Sequence, residues 1–375
     1  MNILILGGTG VLSYDFLELC STKYTTYVLN RNSNLKTLPP NVKLLVADIR
    51  NSQYVKNLIG DLKFDVVIDF LSFNKFQLEN TVNIFYQRFK QFIFISSADV
   101  YDRNKVNIVT EVTKKPNYTW NYSIGKYEAE NWLRSDAKKR NYIFTIIEPY
   151  ITYGRTRIPC GLEPAPNKHA TILFRIKNNK PLISWGNVSC QLMSTLDFAK
   201  NLEKLLLQEK AFYQTFILSG KFSYTWEKVF IELGRLSGKN TKIINVTPER
   251  IVKIMPEFKG ILYADRNLSG IFDISKIKSI IDYECNIPLD QGLKRTIDFY
   301  TQNNNLKGID YKFDALFDRC ISTKNISKEA KQKLHFIDYL GNATKKEFFK
   351  YCLFRYIPFR VARTIDVLLS RIIKW

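Results

Sequence analysis

A tyrosine and a lysine stand four residues apart in the segment 121–130, at Tyr122 and Lys126. Side chains with this spacing lie on the same face of a helix. A phenol has an ordinary pKa of about 10, and a neighbouring ammonium lowers that pKa because it favours the phenolate. The pair could therefore take a proton from a substrate hydroxyl near neutral pH. The same spacing also occurs by chance on exposed helices, so the rest of the chain has to support this chemistry.

A strand-end hydroxyl gives the first support. The apolar run 91–95 predicts a buried strand, and Ser96 and Ser97 follow it directly. From the carboxyl end of that strand, Ser97 could hydrogen-bond the same substrate oxygen as Tyr122.

A glycine-rich turn gives the second support. Gly7-Gly8-Thr9-Gly10 lies between an apolar run over 2–6 and a predicted helix over 11–20. Glycines let the backbone turn tightly and approach a pyrophosphate, and the start of the helix supplies N–H donors. This context predicts a dinucleotide site. Ser13 replaces the third glycine of the pattern and is small enough to keep helix and strand close.

The second predicted strand ends at Asn30 and Arg31, where dinucleotide-binding chains usually carry an acid that binds the ribose hydroxyls of NAD. Loss of the acid removes repulsion against the 2′-phosphate of NADP, and Arg31 could pair with that phosphate. Arg31 could equally be a solvated surface residue, so NAD and NADP both stay open. Two pairs of residues extend the predicted site. Asp48 and Ile49, at the end of the third strand, are expected to contact the adenine, and Leu71 and Ser72, after the fourth strand, are expected to line the cofactor.

Strands alternate with helices up to Pro149. Strands are predicted over 2–6, 25–29, 42–46, 64–70, 91–95 and 142–147, and helices near 11–20, 51–60, 76–89 and 121–139. This alternation predicts right-handed βαβ units. The predicted fold class is α/β: a Rossmann-type doubly wound parallel sheet with a smaller α/β substrate lobe and a helical C-terminal extension.

Beyond Pro149 the alternation becomes irregular. Short strands (182–185, 214–218) and helices (197–208, 225–236) predict the smaller lobe. The domains are therefore expected at 1–155 for the NAD(P)-binding domain, at 156–302 for a substrate lobe interleaved with it, and at 303–375 for the basic helical extension.

Over roughly residues 1–302 the chain resembles the extended short-chain dehydrogenase/reductase superfamily, and within it the NAD-dependent epimerase/dehydratase group. The resemblance is carried by motifs in the family's order, in addition to the glycine turn and the Tyr122/Lys126 pair: Ala-Asp-Ile-Arg at 47–50, Ser-Ser-Ala-Asp-Val-Tyr at 96–101, Glu-Pro-Tyr-Ile-Thr-Tyr-Gly at 148–154 and Ser-Thr-Leu-Asp-Phe-Ala at 194–199. It implies that Tyr122 is base or acid, that Lys126 is its partner and cofactor anchor, and that Ser97 steadies the transferred proton.

The resemblance also implies a reaction and its ligands. A sugar hydroxyl would lose its proton to Tyr122 as hydride passes to the nicotinamide, and the resulting keto-sugar would take the hydride back on its other face. The diphosphate of a nucleotide-sugar substrate would need cations, for which Arg155 and Arg157 are candidates, with solvated arginines as the alternative. A homodimer through paired helices is expected. The predicted cofactor-binding residues are Gly7, Thr9, Gly10, Val11, Leu12, Asn30, Arg31, Asp48, Ile49, Leu71, Ser72, Tyr122, Lys126 and Pro149.

Three positions depart from the family's pattern. Glu148 stands where an arginine usually precedes the proline, and Asp102 stands where a glycine follows the Val-Tyr pair. Both are expected to reshape the rim of the active site. Asp99 corresponds to the glutamate that acts as base in the 4,6-dehydratase branch, but it is one methylene shorter, so a hydrogen-bonding role is favoured over catalysis. An epimerase is therefore ranked above a nucleotide-sugar 4,6-dehydratase or reductase.

The formal charge of +21 allows nucleic acid, an anionic membrane or phosphorylated ligands as partners, although abundant Asn, Ile, Lys and Tyr also fit a compositional bias. The superfamily contains RNA-binding members, but an RNA binder has no need of Ser97, Tyr122 and Lys126 together, so nucleic acid is disfavoured. Residues 345–375 hold eight Lys or Arg against two acids, interleaved with aromatic and aliphatic residues. Such a segment could contact an anionic membrane surface. Packing on its own domain or on a partner subunit is the favoured alternative.

The numbers and positions of cysteines and histidines limit the kinds of site that the chain is expected to contain. Six scattered cysteines without a Cys-x-x-Cys pair, and only two histidines, argue against a metal site and against a disulfide framework. No apolar run reaches the roughly 20 residues that span a bilayer. We expect a cytoplasmic enzyme of surface-polysaccharide or glycan-precursor synthesis, with contact to the inner face of the membrane as an open alternative.

Overall fold

The computed structural model describes residues 1–31, 38–302, 308–322 and 344–372. The chain divides into two compact units. The first comprises Met1–Gly154, Ser189–Tyr224 and Leu268–Gly292, and the second comprises Arg155–Val188, Thr225–Asn267 and the described residues from Leu293 onward. Two segments of the lobe predicted at 156–302 thus belong to the first unit.

The strands, in chain order, are β1 Asn2–Leu6, β2 Thr25–Asn30, β3 Lys43–Val46, β4 Phe64–Asp69, β5 Phe89–Ile95, β6 Ile108–Val109, β7 Ile143–Pro149, β8 Thr152–Tyr153, β9 Leu182–Ser184, β10 Ser189–Gln191, β11 Met193–Ser194, β12 Gln214–Leu218, β13 Ser223–Thr225, β14 Ile243–Asn245 and β15 Ile271–Phe272. The helices are α1 Tyr14–Lys23, α2 Ser52–Ile59, α3 Lys75–Phe85, α4 Asn121–Arg140, α5 Ala170–Lys177, α6 Thr195–Glu203, α7 Trp226–Leu236, α8 Pro248–Ile254, α9 Lys259–Ile261, α10 Ser275–Lys278, α11 Leu289–Gln302, α12 Tyr311–Ile321, α13 Lys345–Tyr356 and α14 Phe359–Ile372.

Seven parallel strands form the sheet of the first unit, in the order β12-β7-β5-β4-β1-β2-β3. The fold class predicted from the sequence is confirmed. Because β1 pairs with β4 on one side and β2 on the other, the strand order reverses at β1. In open sheets of this kind, ligands bind at the carboxyl ends of the strands next to such a reversal.

One strand that is predicted in the smaller lobe belongs to the central sheet. Gln214–Leu218 pairs in parallel with β7, with Gln214 opposite Thr145. The preceding helix α6 packs against α1. The strand itself is local and readable from its apolar run, whereas its partner lies about 70 residues earlier in the chain, and no local pattern encodes that pairing.

Apolar runs explain why these strands are central. Ile3, Leu4, Ile5 and Leu6 are all fully buried, because the sheet has helices on both faces. The helix α4 is the longest described, and Asn141, whose backbone is left-handed (φ 56°), caps its end after Arg140. No described helix combines the length and the apolar character that crossing a bilayer requires.

The second unit contains its own buried ion cluster. Lys180 lies 2.7 Å from Asp314 Oδ2 and 2.5 Å from Asp318 Oδ2, and Arg175 pairs with the same two aspartates. Both aspartates belong to α12, which packs against α13. Of the helical extension predicted at 303–375, the structure describes residues 308–322, which contain α12, and residues 344–372, which contain α13 and α14. The remainder lies outside the described residues.

Candidate active site

The glycine turn between β1 and α1 is closed by Ser13. The Ser13 Oγ donates to the Gly7 carbonyl at 2.6 Å and accepts from the Gly10 amide at 3.1 Å. Gly7 has φ +83°, in the left-handed region that glycine adopts without strain. Because these bonds hold the turn, α1 begins at Tyr14 rather than at residue 11.

The turn offers the donors and the close approach that a pyrophosphate needs. Within the described residues, the amides of Thr9, Val11 and Leu12 form no hydrogen bond to the protein. A Cβ at Gly8 would lie 2.9 Å from Val28 Cγ2, so the turn packs directly on β2. Unpaired amides at the start of a helix fit a diphosphate. The residues present therefore fit a dinucleotide.

The ends of β2 and β3 lie beside this turn. Asn30 Nδ2 donates to Thr9 Oγ1 at 3.2 Å. The Asp48 carboxylate accepts from Arg50 Nε at 3.0 Å, and the bonds from Arg50 lower the pKa of Asp48 to about 2. The exposed Arg31 lowers the same pKa through its charge. A negative charge and a positive one thus lie together where the adenosine end of the cofactor is predicted.

Asp69, the last residue of β4, organises the loop that follows. One carboxylate oxygen accepts from the amides of Leu71 and Ser72 at 2.7 and 3.0 Å, and the other accepts from Ser72 Oγ at 2.5 Å. Asp69 is fully buried, and burial raises the pKa of its carboxyl. A Cβ at Gly7 would lie 2.5 Å from Leu71 Cδ2, so this loop adjoins the glycine turn. Ile49 is half-buried against the core of the same sheet.

Lys126 lies in the interior, where β4 and β5 end. Its Nζ donates to the carbonyls of Ser72 and Ile95 at 2.7 and 2.8 Å and lies 4.9 Å from the ring centroid of Phe73. Burial lowers the pKa of Lys126 to about 8, although the charge of Asp69 opposes this shift. An ammonium has three N–H donors, so two carbonyl partners leave one donor for a ligand oxygen.

Tyr122 lies one turn before Lys126 on α4 and is half-buried. Its ring centroid is 6.3 Å from that of Phe73 and 4.6 Å from that of Trp120. Phe73 therefore contacts both members of the Tyr/Lys pair, and it follows the Leu71-Ser72 loop directly.

Ser97 and Asp99 form the turn after β5. Ser97 Oγ donates to Asp99 Oδ2 at 3.1 Å and accepts from the Asp99 amide at 3.3 Å. Ser123 Oγ donates to the Asp99 carbonyl at 2.7 Å, which ties the start of α4 to this turn. The structure thus brings Ser97, Asp99, Tyr122 and Lys126 to one edge of the sheet.

Glu148 does not lie at an active-site rim, and the expectation that it would is wrong. Its side chain is fully buried at the end of β7, where it contacts Lys115 Nζ and Tyr101 OH. A carboxyl group can be buried when such partners are present. Asp102 lies in the loop after Tyr101, and its amide donates to the Lys114 carbonyl at 2.9 Å.

Pro149 is the buried last residue of β7, beside β5 in the sheet. Arg155 and Arg157 lie in the second unit. Arg157 Nη2 is 2.5 Å from Glu163 Oε1, and the Arg155 guanidinium is 5.3 Å from the ring centroid of Phe299. Their role in binding a diphosphate stays a prediction.

Asp69, Glu130 and Lys115 are absent from the residues predicted from the sequence. Two of them carry a local signal. Asp69 ends an apolar strand, and Glu130 lies four residues after Lys126 and therefore on the same helix face. Lys115 has no such signal, because it lies in a loop and its acidic partners come from α4 and β7.

A parallel sheet with its strand reversal at β1, a glycine turn with unpaired amides, and a Tyr/Lys helix beside the end of β5 define a Rossmann-type chain of the short-chain dehydrogenase/reductase class. The model of the NAD dependent epimerase/dehydratase family matches residues 3–211. The chain belongs to this family.

Solved structures with the same fold include two sugar-nucleotide epimerases. A UDP-glucuronic acid 4-epimerase from Bacillus cereus, in complex with NAD, is 19% identical with a TM-score of 0.65, covering 80% of this chain and 97% of that one. A UDP-glucose 4-epimerase from Thermotoga maritima, with UDP-glucose, is 17% identical with a TM-score of 0.65, covering 81% and 100%. At these identities the likeness shows the fold. No curated protein sequence matches the chain.

Proposed function

We propose that the chain is an NAD(P)-dependent nucleotide-sugar epimerase. The observation that carries this proposal is the buried ammonium of Lys126, held at 2.7 and 2.8 Å by two strand-end carbonyls, one helical turn from Tyr122. Membership of an epimerase/dehydratase family supports the same class of reaction.

In the proposed mechanism, bound NAD(P) supplies reversible acceptance of a hydride from the sugar carbon. The Tyr122 phenol takes the proton of the sugar hydroxyl and later returns it. The Lys126 ammonium favours the phenolate, and with a pKa of about 8 it is mostly charged at neutral pH. Ser97 orients the same sugar oxygen. Between the two proton transfers the keto-sugar turns over and presents its other face.

The contacts of Asp99 favour epimerisation over water elimination. Its carboxylate accepts from Ser97 Oγ at 3.1 Å, and its carbonyl accepts from Ser123. This arrangement supports a role in holding the turn, rather than the base that a 4,6-dehydratase requires.

The family description and the relative solved with NAD support NAD as the cofactor. Asn30 and Arg31 keep NADP as the alternative, which calorimetric titration with both dinucleotides distinguishes. We place the reaction in surface-polysaccharide or glycan-precursor synthesis, because sugar nucleotides are the activated donors of such pathways. The names of the two relatives support a nucleotide sugar, so UDP-sugars come first in the test.

The test is a panel of UDP-, GDP-, CDP- and dTDP-sugars incubated with each dinucleotide and followed by proton NMR. A changed axial or equatorial coupling marks epimerisation, and a 4-keto-6-deoxy product marks dehydration. We expect Tyr122→Phe to lower kcat by about 10²- to 10⁴-fold. Tyr127→Phe, on the same helix, is the matched control and should keep the parent rate. An unchanged rate in Tyr122→Phe, or salt-sensitive RNA binding without affinity for either dinucleotide, contradicts the proposal.

We further propose peripheral contact with an anionic membrane through α14. On this helix Val361 and Leu368 are each 50% exposed, and Arg360, Arg363 and Arg371 are exposed beside them. Exposed aliphatic side chains among arginines fit an anionic lipid surface. A cytoplasmic location is proposed on a separate ground, because the six cysteines are free thiols and suit a reducing compartment.

Vesicle flotation tests this contact. Binding to phosphatidylglycerol-containing vesicles, absent with pure phosphatidylcholine and weakened by Arg360→Glu/Arg363→Glu, is expected. Equal flotation of the parent and the variant contradicts it. The expected homodimer stays a prediction, which size-exclusion chromatography with light scattering tests.

A further inference from the structure

A buried ion cluster adjoins the end of β5 in the first unit. Lys115 Nζ lies 3.1 Å from Glu130 Oε2 and also contacts Glu148. Both glutamates are fully buried, and the Lys115 side chain is 10% exposed. Tyr101 OH donates to Glu148. These residues (Lys115, Glu130, Glu148 and Tyr101) are called the buried carboxylate cluster.

Glu130 links the cluster to the candidate catalytic residues. It lies on α4, one turn after Lys126 and two turns after Tyr122. Ser96 Oγ donates to Glu130 Oε1 at 2.6 Å, and Ser96 immediately precedes Ser97. This bond joins the helix that carries the Tyr/Lys pair to the strand end that carries Ser97, in addition to the bond from Lys126 Nζ to the Ile95 carbonyl.

Glu148 links the cluster to the neighbouring strand. The amide of Ser96 donates to the carbonyl of Ile147 on β7 at 2.7 Å, so the residue before Glu148 holds the same strand end. Tyr101 follows the turn that begins at Ser97, and its bond to Glu148 fixes the other side of that turn. Through one ammonium, Lys115 thus connects α4, the end of β5 and β7.

The charges within the cluster depend on Lys115. Burial opposes the ionisation of Glu130, but the Lys115 ammonium, together with Arg134 at 3.3 Å, holds the pKa of Glu130 below its ordinary value. Burial and the charge of Glu130 raise the pKa of Glu148 to about 8. These opposite shifts leave Glu130 as the carboxylate that accepts from Ser96, and Glu148 as the member of the pair that binds a proton more readily.

We propose that Lys115 is a positioning residue, which by pairing with Glu130 and Glu148 holds Tyr122 and Lys126 in register with Ser97. Because Lys115 would act through residues of the proposed epimerase site, the inference rests on that function. Position 148 is one of the departures from the family's pattern, and the acid at this position gives Lys115 a second carboxyl partner beside Glu130.

The test transfers the positive charge of the buried carboxylate cluster from Lys115, in a loop, to position 148 on β7. Lys115→Ala removes it, and Glu148→Arg alone places a second cation beside the first. The double variant Lys115→Ala/Glu148→Arg supplies one cation from β7. We expect each single variant to lower kcat by about 10- to 100-fold, as for small misplacements of reacting groups, with the KM of the sugar unchanged within about twofold. The double variant is expected to recover most of the lost kcat.

Lys180→Met is the matched control. Lys180 is also a buried lysine between two carboxylates, Asp314 and Asp318, but it lies in the second unit. Its replacement should lower the melting temperature and leave kcat unchanged. Lys115→Met, which keeps most of the side-chain volume, replaces Lys115→Ala if the alanine variant does not fold.

A second measurement does not depend on turnover. The rate of amide hydrogen exchange in the peptides 95–101 and 121–127 should rise in Lys115→Ala and return to the parent rate in the double variant. If the parent turns over no sugar, the proposed function fails, while the exchange of these peptides still tests the cluster. Parent-like kcat and exchange in Lys115→Ala, or a folded double variant without recovery, would overturn the inference.

Discussion

The buried ammonium of Lys126 predicts a specific dependence of stability on pH. Its pKa is lowered from 10.5 to about 8 in the folded protein, mainly by burial. Between these two values the folded chain has lost the proton and the unfolded chain still carries it. Because the unfolded state binds more protons, stability rises with pH across this window. Below about pH 8 the lysine is charged in both states, and the cost of burying the charge is present in full.

The size of the effect follows from the shift. One pKa unit corresponds to about 1.4 kcal/mol, so a shift of about 2.5 units gives about 3 kcal/mol over the whole window. Between pH 8 and 10, the parent should therefore gain about 2 to 3 kcal/mol in unfolding free energy relative to Lys126→Met. The variant keeps a similar side-chain volume but has no group that titrates at this position.

Urea unfolding at several pH values, followed by tryptophan fluorescence, measures this difference. Other lysines, tyrosines and cysteines titrate in both proteins and cancel when the variant is subtracted from the parent. Lys139→Met, at an exposed position of the same helix, is the control and should show no such gain. A parent-minus-variant difference that stays constant from pH 7.5 to 10 would refute the assignment of a desolvated, charged Lys126. The electrostatic assistance to Tyr122 would then need another source.

Three glycine positions give further predictions. Gly7→Ala and Gly60→Ala both place a side chain at positive φ (+83° and +49°), so each should lose about 1 to 2 kcal/mol of stability. Only Gly7→Ala should also weaken dinucleotide binding in calorimetry, because its new Cβ would lie 2.5 Å from Leu71 Cδ2. A Cβ at Gly60 would have no such neighbour within 4 Å. Equal dinucleotide affinities of the two variants would contradict the assignment of the turn. Gly154→Ala should cost about 1 to 3 kcal/mol by overpacking, since its Cβ would overlap Oγ1 and lie 3.0 Å from Cγ2 of the fully buried Thr195. A melting temperature equal to the parent's would show that Thr195 can move aside.

Much of the first unit could be predicted from local sequence. The run 2–6 is apolar at nearly every position because β1 is buried on both faces, and such runs also located β4 and β5. The glycine turn and the Tyr122/Lys126 pair could also be predicted from local sequence. Their chemistry depends on spacings of a few residues, and one segment of the chain contains each spacing completely.

The strand β12 and the buried carboxylate cluster required the tertiary structure. Gln214–Leu218 is recognisable as a strand, but its partner on β7 was set by the path of the chain between them. Glu148 is expected from the sequence at the rim of the active site, but it is buried beside Lys115, which lies 33 residues earlier in the chain. By itself the sequence determined the central βαβ pattern and the residue types of the site, because these are local properties. Only the folded chain decided which buried charges meet, because the energy of a buried ion depends on partners brought together from distant segments.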